Sequence, residues 1–270
     1  MKIGIVGCAG RMGQMLVQEV LKTKGCELAG GTEGPNSVAL GEDVAAYSGL
    51  PECGMVISED TEFLFKVSDV VIDFTLPNLT AQHLKFAQTY NTSVILGTTG
   101  HDENEFMSIE KAAKNMTIVK AMNFSIGVNA LFALTEQLSN RLDDNFDVEI
   151  FEMHHRHKID APSGTAIALG EAAAKGRSVV LSDVSVRGRD GIAGARKKGN
   201  IGFTSLRGGE VVGDHSVIFA GDSERIELTH KAASRGIFSK GAVFAALWTS
   251  GQSPGLYDML DVLGFKKDSL

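Results

Sequence analysis

Gly7-Cys8-Ala9-Gly10-Arg11-Met12-Gly13 is a glycine-rich turn set between a short apolar run and an amphipathic stretch, and few folds accommodate that order. The periodicity predicts a buried strand over Lys2–Gly7. It predicts a helix over Arg11–Lys24, with Met12, Met15, Leu16, Val20 and Leu21 near one face. The alternation continues. Strands are expected over Cys26–Thr32, Val70–Phe74 (ended by Pro77), Ser93–Leu96 and Thr117–Ala121, with helices over Leu79–Tyr90 and Glu103–Lys114. Strands alternating with helices make a parallel sheet with crossover helices. After about residue 125 the pattern changes. A helix over Val128–Leu142 and a strand over Val148–His154 precede a polar turn and a helix over Thr165–Lys175. Strand-like runs follow at Val184–Arg187, Ile201–Leu206, Val211–Ala220 and Arg225–Lys231, which implies a mixed or antiparallel sheet. Gly188–Asn200, rich in Gly, Arg and Lys, is expected to be a mobile loop, and Gly236–Gly251 a helix that returns to the first domain. The fold class is therefore α/β: an N-terminal Rossmann-type dinucleotide-binding domain plus a second α+β domain.

Glycine in the first turn lets the backbone bend tightly and approach a pyrophosphate, while the helix that follows offers free N–H groups and a positive dipole end. The spacing is G-x-x-G-x-x-G rather than the commoner G-x-G-x-x-G. Glu33, at the end of the second strand, stands where an acid is needed for ribose hydroxyls. Asp73-Phe74-Thr75, Gly97-Thr98-Thr99-Gly100 and Ala121-Met122-Asn123-Phe124 end later strands on the same edge, where ligands of open α/β sheets sit. Gly, Thr and Asn also favour ordinary turns, so it is their shared position that argues for a site.

Composition narrows the remaining classes. A net charge of −7, with no long run of either sign, argues against wholesale nucleic-acid binding. An anionic substrate then needs a local basic site. Cys8, Cys26 and Cys53 are odd in number and lack metal-ligand spacing, which fits a reducing cytosol better than a disulfide framework. No run approaches the roughly 18 apolar residues of a membrane span, and Ile3–Cys8 is too short for a signal peptide's apolar region. A cytoplasmic location is expected.

The basic site is at Glu152-Met153-His154-His155-Arg156-His157-Lys158-Ile159-Asp160-Ala161-Pro162-Ser163-Gly164-Thr165-Ala166. Three His, one Arg and one Lys lie within five positions, a density that packing does not demand and that suits an anionic substrate and proton transfer near neutral pH. In a straight strand His154 and Lys158 would stand roughly 13 Å apart, so the chain must bend, and Pro162 with Gly164 permits a turn. Ser163-Gly164-Thr165 then opens a helix whose N–H groups suit a carboxylate. Three rival readings are weaker. A metal site from His154, His155 and His157 lacks H-x-x-x-H spacing and paired cysteines. A serine hydrolase at Ser163 lacks the G-x-S-x-G elbow. A solvated basic loop is the commoner meaning of such a run, but this one lies between a strand and a helix N-terminus.

Together these segments resemble the 4-hydroxy-tetrahydrodipicolinate (dihydrodipicolinate) reductase family. The His-His-x-x-Lys-x-Asp-Ala-Pro-Ser-Gly-Thr-Ala core is intact at 154–166, and Arg-Met-Gly, Gly-Thr-Thr-Gly and Asn-Phe-Ser-x-Gly-Val-Asn match at 11–13, 97–100 and 123–129. The resemblance implies hydride transfer from NADH or NADPH to a cyclic dicarboxylate imine in lysine and diaminopimelate biosynthesis. It places the proton donor at His154, the catalytic lysine at Lys158, and substrate carboxylates at His155, Ser163, Gly164 and Thr165. It places cofactor contacts at Gly7, Cys8, Ala9, Gly10, Arg11, Met12, Glu33, Gly97, Thr98, Thr99, Ala121, Met122, Asn123 and Phe124, with no metal. It implies a dinucleotide-binding domain of 1–125 and 235–270, a substrate-binding and oligomerisation domain of 126–234, and a homotetramer. Some relatives carry a basic residue after the ribose-binding acid; Gly34 stands there in this chain, which favours NADH, although Arg11 remains a candidate for a phosphate. The alternative is another two-domain NAD(P)-dependent dehydrogenase acting on aspartate or an aspartate-derived aldehyde, which would not be expected to carry the His-Lys segment. A non-catalytic dinucleotide sensor is disfavoured by the same segment.

Overall fold

The computed structural model describes residues 1–266. The chain divides into two compact units, one of Met1–Ile126 with the chain from Gly236 onward, the other of Gly127–Arg235. The expectation that 267–270 belong to the first domain lies outside the described residues.

The first unit opens with β1 (Lys2–Val6), α1 (Arg11–Lys22), β2 (Glu27–Thr32), α2 (Val44–Tyr47), α3 (Thr61–Val67), β3 (Val70–Asp73), α4 (Pro77–Tyr90), β4 (Ser93–Leu96), α5 (Glu103–Ala113) and β5 (Thr117–Lys120). The second comprises nearly all of α6 (Ile126–Arg141), then β6 (Asp147–His154), α7 (Gly164–Gly176), α8 (Leu181–Val184), β7 (Ser185–Arg187), β8 (Ile201–Arg207), β9 (Asp214–Ala220) and β10 (Arg225–Lys231). The chain then returns to the first unit as α9 (Gly236–Trp248), β11 (Gly255–Tyr257) and α10 (Met259–Val262).

Six strands of the first unit pair in the order β11-β5-β4-β3-β1-β2, all parallel. Every residue of β3, Val-Val-Ile-Asp, is buried, because helices cover both faces of such a sheet. Ile3, Ile5, Ile72 and Ile95 pack with Leu16, Val17 and Val20 of α1 and Ala242, Val243 and Ala246 of α9. Val71, Val94, Leu96 and Ile118 pack on the other side with Phe65, Leu84 and Ile109. Strand order reverses at β1, flanked by β2 and β3, and that reversal opens a crevice at the carboxyl ends of these strands.

The second unit holds a mixed sheet, β10-β9-β6-β8-β7, with β6 parallel to β8 and antiparallel to β9. Along β6 the residues alternate between the two faces. Val148 and Ile150 join Ile201, Phe203, Val217 and Phe219 under Ala166, Leu169 and Ala173 of α7. The opposite face presents Glu149, Phe151 and Met153, partnered in register by Ile218, Ser216 and Asp214.

Several expectations are corrected. On α1 the buried residues are Gly13, Leu16, Val17 and Val20, whereas Leu21 is exposed and Met12 and Met15 are only half-buried. β3 ends at Asp73, ahead of Pro77, which occupies the first turn of α4, where its missing N–H costs nothing. β9 begins at Asp214 rather than Val211. The 188–200 loop is tied down: Arg189 pairs with Glu149 at 2.8 Å, and Arg196 pairs with Asp147 and Glu149 at 2.6 and 2.8 Å. α2, α3, α8, α10 and β11 were not anticipated, being too short to express a period. Among the described residues no helix is long and apolar enough to cross a membrane.

Gly13 shows why the first turn requires glycine. A Cβ there would collide with the Gly7 carbonyl oxygen and lie 2.6 Å from Cys8 Cα. Gly13→Ala is therefore expected to cost about 1–3 kcal/mol through overpacking, seen as a lower Tm, and to weaken dinucleotide binding in a fluorescence titration. An unchanged Tm and affinity would contradict this account of the turn.

Candidate active site

In the first unit a cleft of about 650 Å3 lies at the carboxyl ends of β1, β2 and β3, lined among others by Gly7, Gly10, Glu33, Phe74, Thr75 and His83. Gly7 has φ +70°, a conformation that side chains resist. The first intrahelical hydrogen bond of α1 runs from Gln14 N–H to the Gly10 carbonyl, so the N–H groups of Arg11, Met12 and Gly13 precede it. Ala9 N–H donates to Glu33 Oε1 at 2.8 Å, which holds the acid beside the turn. Glu33 N–H in turn donates to the Ser58 carbonyl at 3.0 Å, bringing Glu59, Asp60 and Glu62 to the cleft wall.

Behind this cleft a buried carboxylate ties two strand ends together. Asp73 Oδ1 accepts from Thr75 N–H at 2.9 Å, Thr75 Oγ1 at 2.6 Å and Thr98 Oγ1 at 3.2 Å, and Oδ2 meets His83 Nδ1 at 2.7 Å. Burial alone would raise the Asp73 carboxyl, but the His83 and Thr75 hydrogen bonds outweigh it and hold it below its ordinary value.

In the second unit the closed face of the sheet carries Glu152, His154, Arg207 and His215 at one end. Glu152 is 1% exposed. Its Oε2 meets His154 Nδ1 at 2.6 Å. Arg207 donates to both of its oxygens at 2.9 Å, and Ser163 N–H reaches Oε1 at 3.3 Å. Burial disfavours the charged carboxylate, yet the donors from Arg207 and His154 keep it below the usual range. His154 Nε2 lies where a Cβ on residue 213 would come within 3.0 Å, so Gly213 leaves room beside it. The rings of His154 and His215 meet edge to face at 5.1 Å. Burial pushes the His215 imidazole down to about 4.

The chain bends twice between β6 and α7. β6 ends at His154, Lys158 N–H donates to the His155 carbonyl to close a first turn over 155–158, and the chain bends again at Ala161–Pro162, as expected, before α7. Lys158 Nζ donates to both oxygens of Asp160 at 2.7 and 2.8 Å. Ser163 caps α7: its Oγ accepts from Ala166 N–H at 3.2 Å and meets His215 Nε2 at 3.1 Å. The N–H groups of Gly164 and Thr165 precede that capped turn and remain for an anion.

Several expected site residues have side chains already engaged within the protein. Ser163 is 2% exposed, and its hydroxyl caps α7 and meets His215. The Cys8 thiol is buried against Gly31 and pushed up to about 12 by burial, reinforced by the Glu33 charge, so only its backbone borders the turn. The Phe124 ring belongs to the core, 5.3 Å from Phe74, and the Thr98 hydroxyl is held by Asp73. Thr99 and Met122 are exposed, Gly97, Ala121 and Asn123 half-buried, and none of the five lines the cleft. His154 and His157 diverge, the first to Glu152 and the second, exposed, towards Glu210 at 3.9 Å, while His155 Nδ1 is buried without a partner among the described residues. The roles of Glu152, Arg207 and His215 were missed. Only Glu152 left a local signal, the two-residue spacing that puts it on the His154 face of the strand.

A parallel-sheet unit with a glycine turn at its switch point, in one chain with a sheet end that presents a carboxylate-bound imidazole, defines a two-domain oxidoreductase of the nicotinamide-dependent class. The family models described as dihydrodipicolinate reductase, N-terminus and C-terminus, match residues 1–124 and 127–263. The chain belongs to the dihydrodipicolinate reductase family. It is 52% identical over 266 residues to the 4-hydroxy-tetrahydrodipicolinate reductase of Parvibaculum lavamentivorans (98% of each chain). It is 50% identical over 264 residues to that of Rhodopseudomonas palustris strain BisB18 (98% of this chain, 97% of the relative). In fold it is similar to a dipicolinate-bound dihydrodipicolinate reductase from Paenisporosarcina sp. TG-14, with TM-score 0.75 and 24% identity, covering 97% of this chain and 98% of that one. A probable dehydrogenase from Thermotoga maritima shares the fold at TM-score 0.59 and 10% identity, covering 98% and 93% of the two chains.

The buried His215 has a measurable consequence. Its folded value lies below the unfolded one of about 6.5, so between about 6.5 and 4 the unfolded chain binds more protons and stability falls as pH is lowered. The expected contribution is on the order of 3 kcal/mol, and His215→Gln should flatten that part of a denaturation series run from pH 7 to pH 4. An unchanged slope would show that His215 is not held neutral.

Proposed function

We propose that this chain is an NAD(P)H-dependent 4-hydroxy-tetrahydrodipicolinate reductase of lysine and diaminopimelate biosynthesis, with the first unit binding the dinucleotide and the second the substrate. The observation that carries the reading is the Glu152–His154 pair beside the opening of α7, set within the intact 154–166 segment. The residues around the first cleft fit a dinucleotide. Gly7 and Gly10 let the backbone come close, the first N–H groups of α1 receive pyrophosphate, and Glu33 accepts ribose hydroxyls. When bound, the reduced nicotinamide supplies the hydride. Gly7 to Met12 are assigned to the cofactor at the cleft, and the 97–99 turn and the 121–124 segment to the part of it that extends beyond the cleft lining, Cys8 and Phe124 through backbone alone.

The second unit supplies binding and a proton. Gly164 and Thr165 N–H groups receive one carboxylate of the cyclic imine, and His155, with its unpartnered Nδ1, takes part in holding the substrate. Lys158 places a cation near the charge that builds during reduction; two of its three donors rest on Asp160, leaving one for substrate. His154 delivers the proton. His154→Gln and Lys158→Met are each expected to lower kcat by roughly 10²–10⁴-fold, with cofactor affinity retained in a binding titration. Wild-type turnover in either variant removes that residue from the mechanism.

NADH is the preferred cofactor in this reading. The cleft wall carries Glu33, Glu59, Asp60 and Glu62 and, among the described residues, no Lys or Arg, while Gly34 offers no side chain. A 2′-phosphate there would meet negative charge without a partner. The three cysteines are free thiols, in keeping with a cytoplasmic enzyme. The open sheet face bearing Phe151, Met153, Leu206 and Ile218 is where subunits of a homotetramer would associate. The deciding assay couples the chain to the product of dihydrodipicolinate synthase and follows oxidation of each cofactor. Turnover with kcat/KM higher for NADH is expected. No oxidation of either cofactor refutes the reductase, and a clear NADPH preference refutes the cofactor assignment alone.

A further inference from the structure

Resting on that functional reading, we propose that Glu152 is the positioning residue of the reaction, one buried carboxylate that orients the proton donor with one oxygen and the substrate-binding helix start with the other. Oε2 meets His154 Nδ1 at 2.6 Å, Oε1 accepts from Ser163 N–H at 3.3 Å, and Arg207 donates to both at 2.9 Å. Ionised Glu152 is an acceptor only, so the proton between it and His154 belongs to Nδ1. Protonated His154 therefore releases its other proton, from Nε2, to the reduced ring, and the histidine left behind is the neutral Nδ1–H tautomer. The side chain beside Nε2 at position 213 is absent, since that residue is glycine and a Cβ would stand 3.0 Å away. The wrong tautomer would aim a bare Nδ1 at the carboxylate and leave Nε2–H with a proton that neutral imidazole does not give up.

Ser163 extends the same device. Its N–H is fixed by Glu152, its hydroxyl caps α7 and meets His215 Nε2, and His215 packs edge-on against His154. Movement of the Glu152 carboxylate thus displaces the proton donor and the Gly164–Thr165 anion site together. Arg207 closes the assembly by donating to the Asp160 carbonyl at 2.6 Å as well, which ties the end of the Lys158 turn to the same cation. A purely structural ion pair would need neither the imidazole nor the helix N–H on its carboxylate.

The test uses 15N-histidine-labelled protein, with the His154 signals assigned by their loss in His154→Gln, read alongside steady-state kinetics. In the wild type, neutral His154 should show protonated Nδ1 and bare Nε2. In Glu152→Gln the amide oxygen is drawn to Arg207 and its NH2 faces the ring, so the tautomer should invert. kcat should fall roughly 10²–10⁴-fold, as when the anchor of a catalytic histidine becomes an amide. KM for the cofactor, bound in the other unit, should hold. Glu152→Asp, which keeps the charge, should retain the wild-type tautomer and recover part of kcat. Wild-type His154 found as the Nε2–H form overturns the proposal even if no Glu152 variant folds, and so does normal turnover in a folded Glu152→Gln. Failure of the wild type to reduce the synthase product overturns the functional reading, while the tautomer measurement stands apart from it.

Discussion

A carboxylate sealed from water must be answered by donors, and the second unit is organised around one such demand. Glu152 lies towards one end of a sheet face whose other part is built from Val148, Ile150, Phe203 and Val217. An isolated anion there would be several kcal/mol out of balance. The sequence meets the demand from three directions: Arg207 from the neighbouring strand, His154 two residues along the same strand, and the Ser163 N–H at the mouth of α7. Satisfying the charge brings together a cation, an imidazole and a helix N-terminus, which are the groups that a dicarboxylate undergoing reduction requires. The first unit uses the same device at Asp73, whose donors come from two successive strand ends and from His83.

Why both sites lie at strand ends follows from the sheets. Strand interiors consume their N–H and carbonyl groups in ladders, and parallel strands buried on both faces leave no side chain free for a ligand. At the carboxyl end the ladder stops and the chain turns into a helix, so unpaired N–H groups and polar side chains appear together. β1 running into α1 through Gly7–Gly10, and β6 running into α7 through the 155–163 segment, are two solutions of different length. The shorter needs glycine at Gly13 because helix and turn touch. The longer can hold its own cation and acid, Lys158 and Asp160.

What was legible in the sequence follows the same division. Val70–Ile72 and the helix of α4 announce themselves because burial on one or both faces imposes a period. The glycine turn announces itself because only glycine satisfies it. α2 and α10, four residues each, and β11, three, are held by tertiary contacts and leave no period to detect. At the site, the His-Lys segment stood out by density, yet its internal logic did not. The bonds that join Ser163 to His215 and Arg207 to Glu152 span 52 and 55 positions, and nothing local reports a partner so distant. At Ser163 a helix-capping hydroxyl and a substrate-binding hydroxyl are the same residue type in the same place, so sequence does not separate the two roles.

Stability does not account for the Glu152 cluster. A surface pair such as Arg225–Glu227, 66% and 46% exposed, contributes about 0–1 kcal/mol. A buried pair repays its desolvation only with good geometry, and well-packed apolar residues of similar volume are often as stable or more so. The surrounding core of Val, Ile and Phe shows that this sheet face packs without charge where charge is not needed. Removing one partner, by contrast, strands the other in the interior, so the cluster constrains the chain without stabilising it much. An arrangement with that balance persists when the charge itself has work to do. In the role proposed for Glu152, that work is to keep one imidazole nitrogen occupied so that the other has a proton to give.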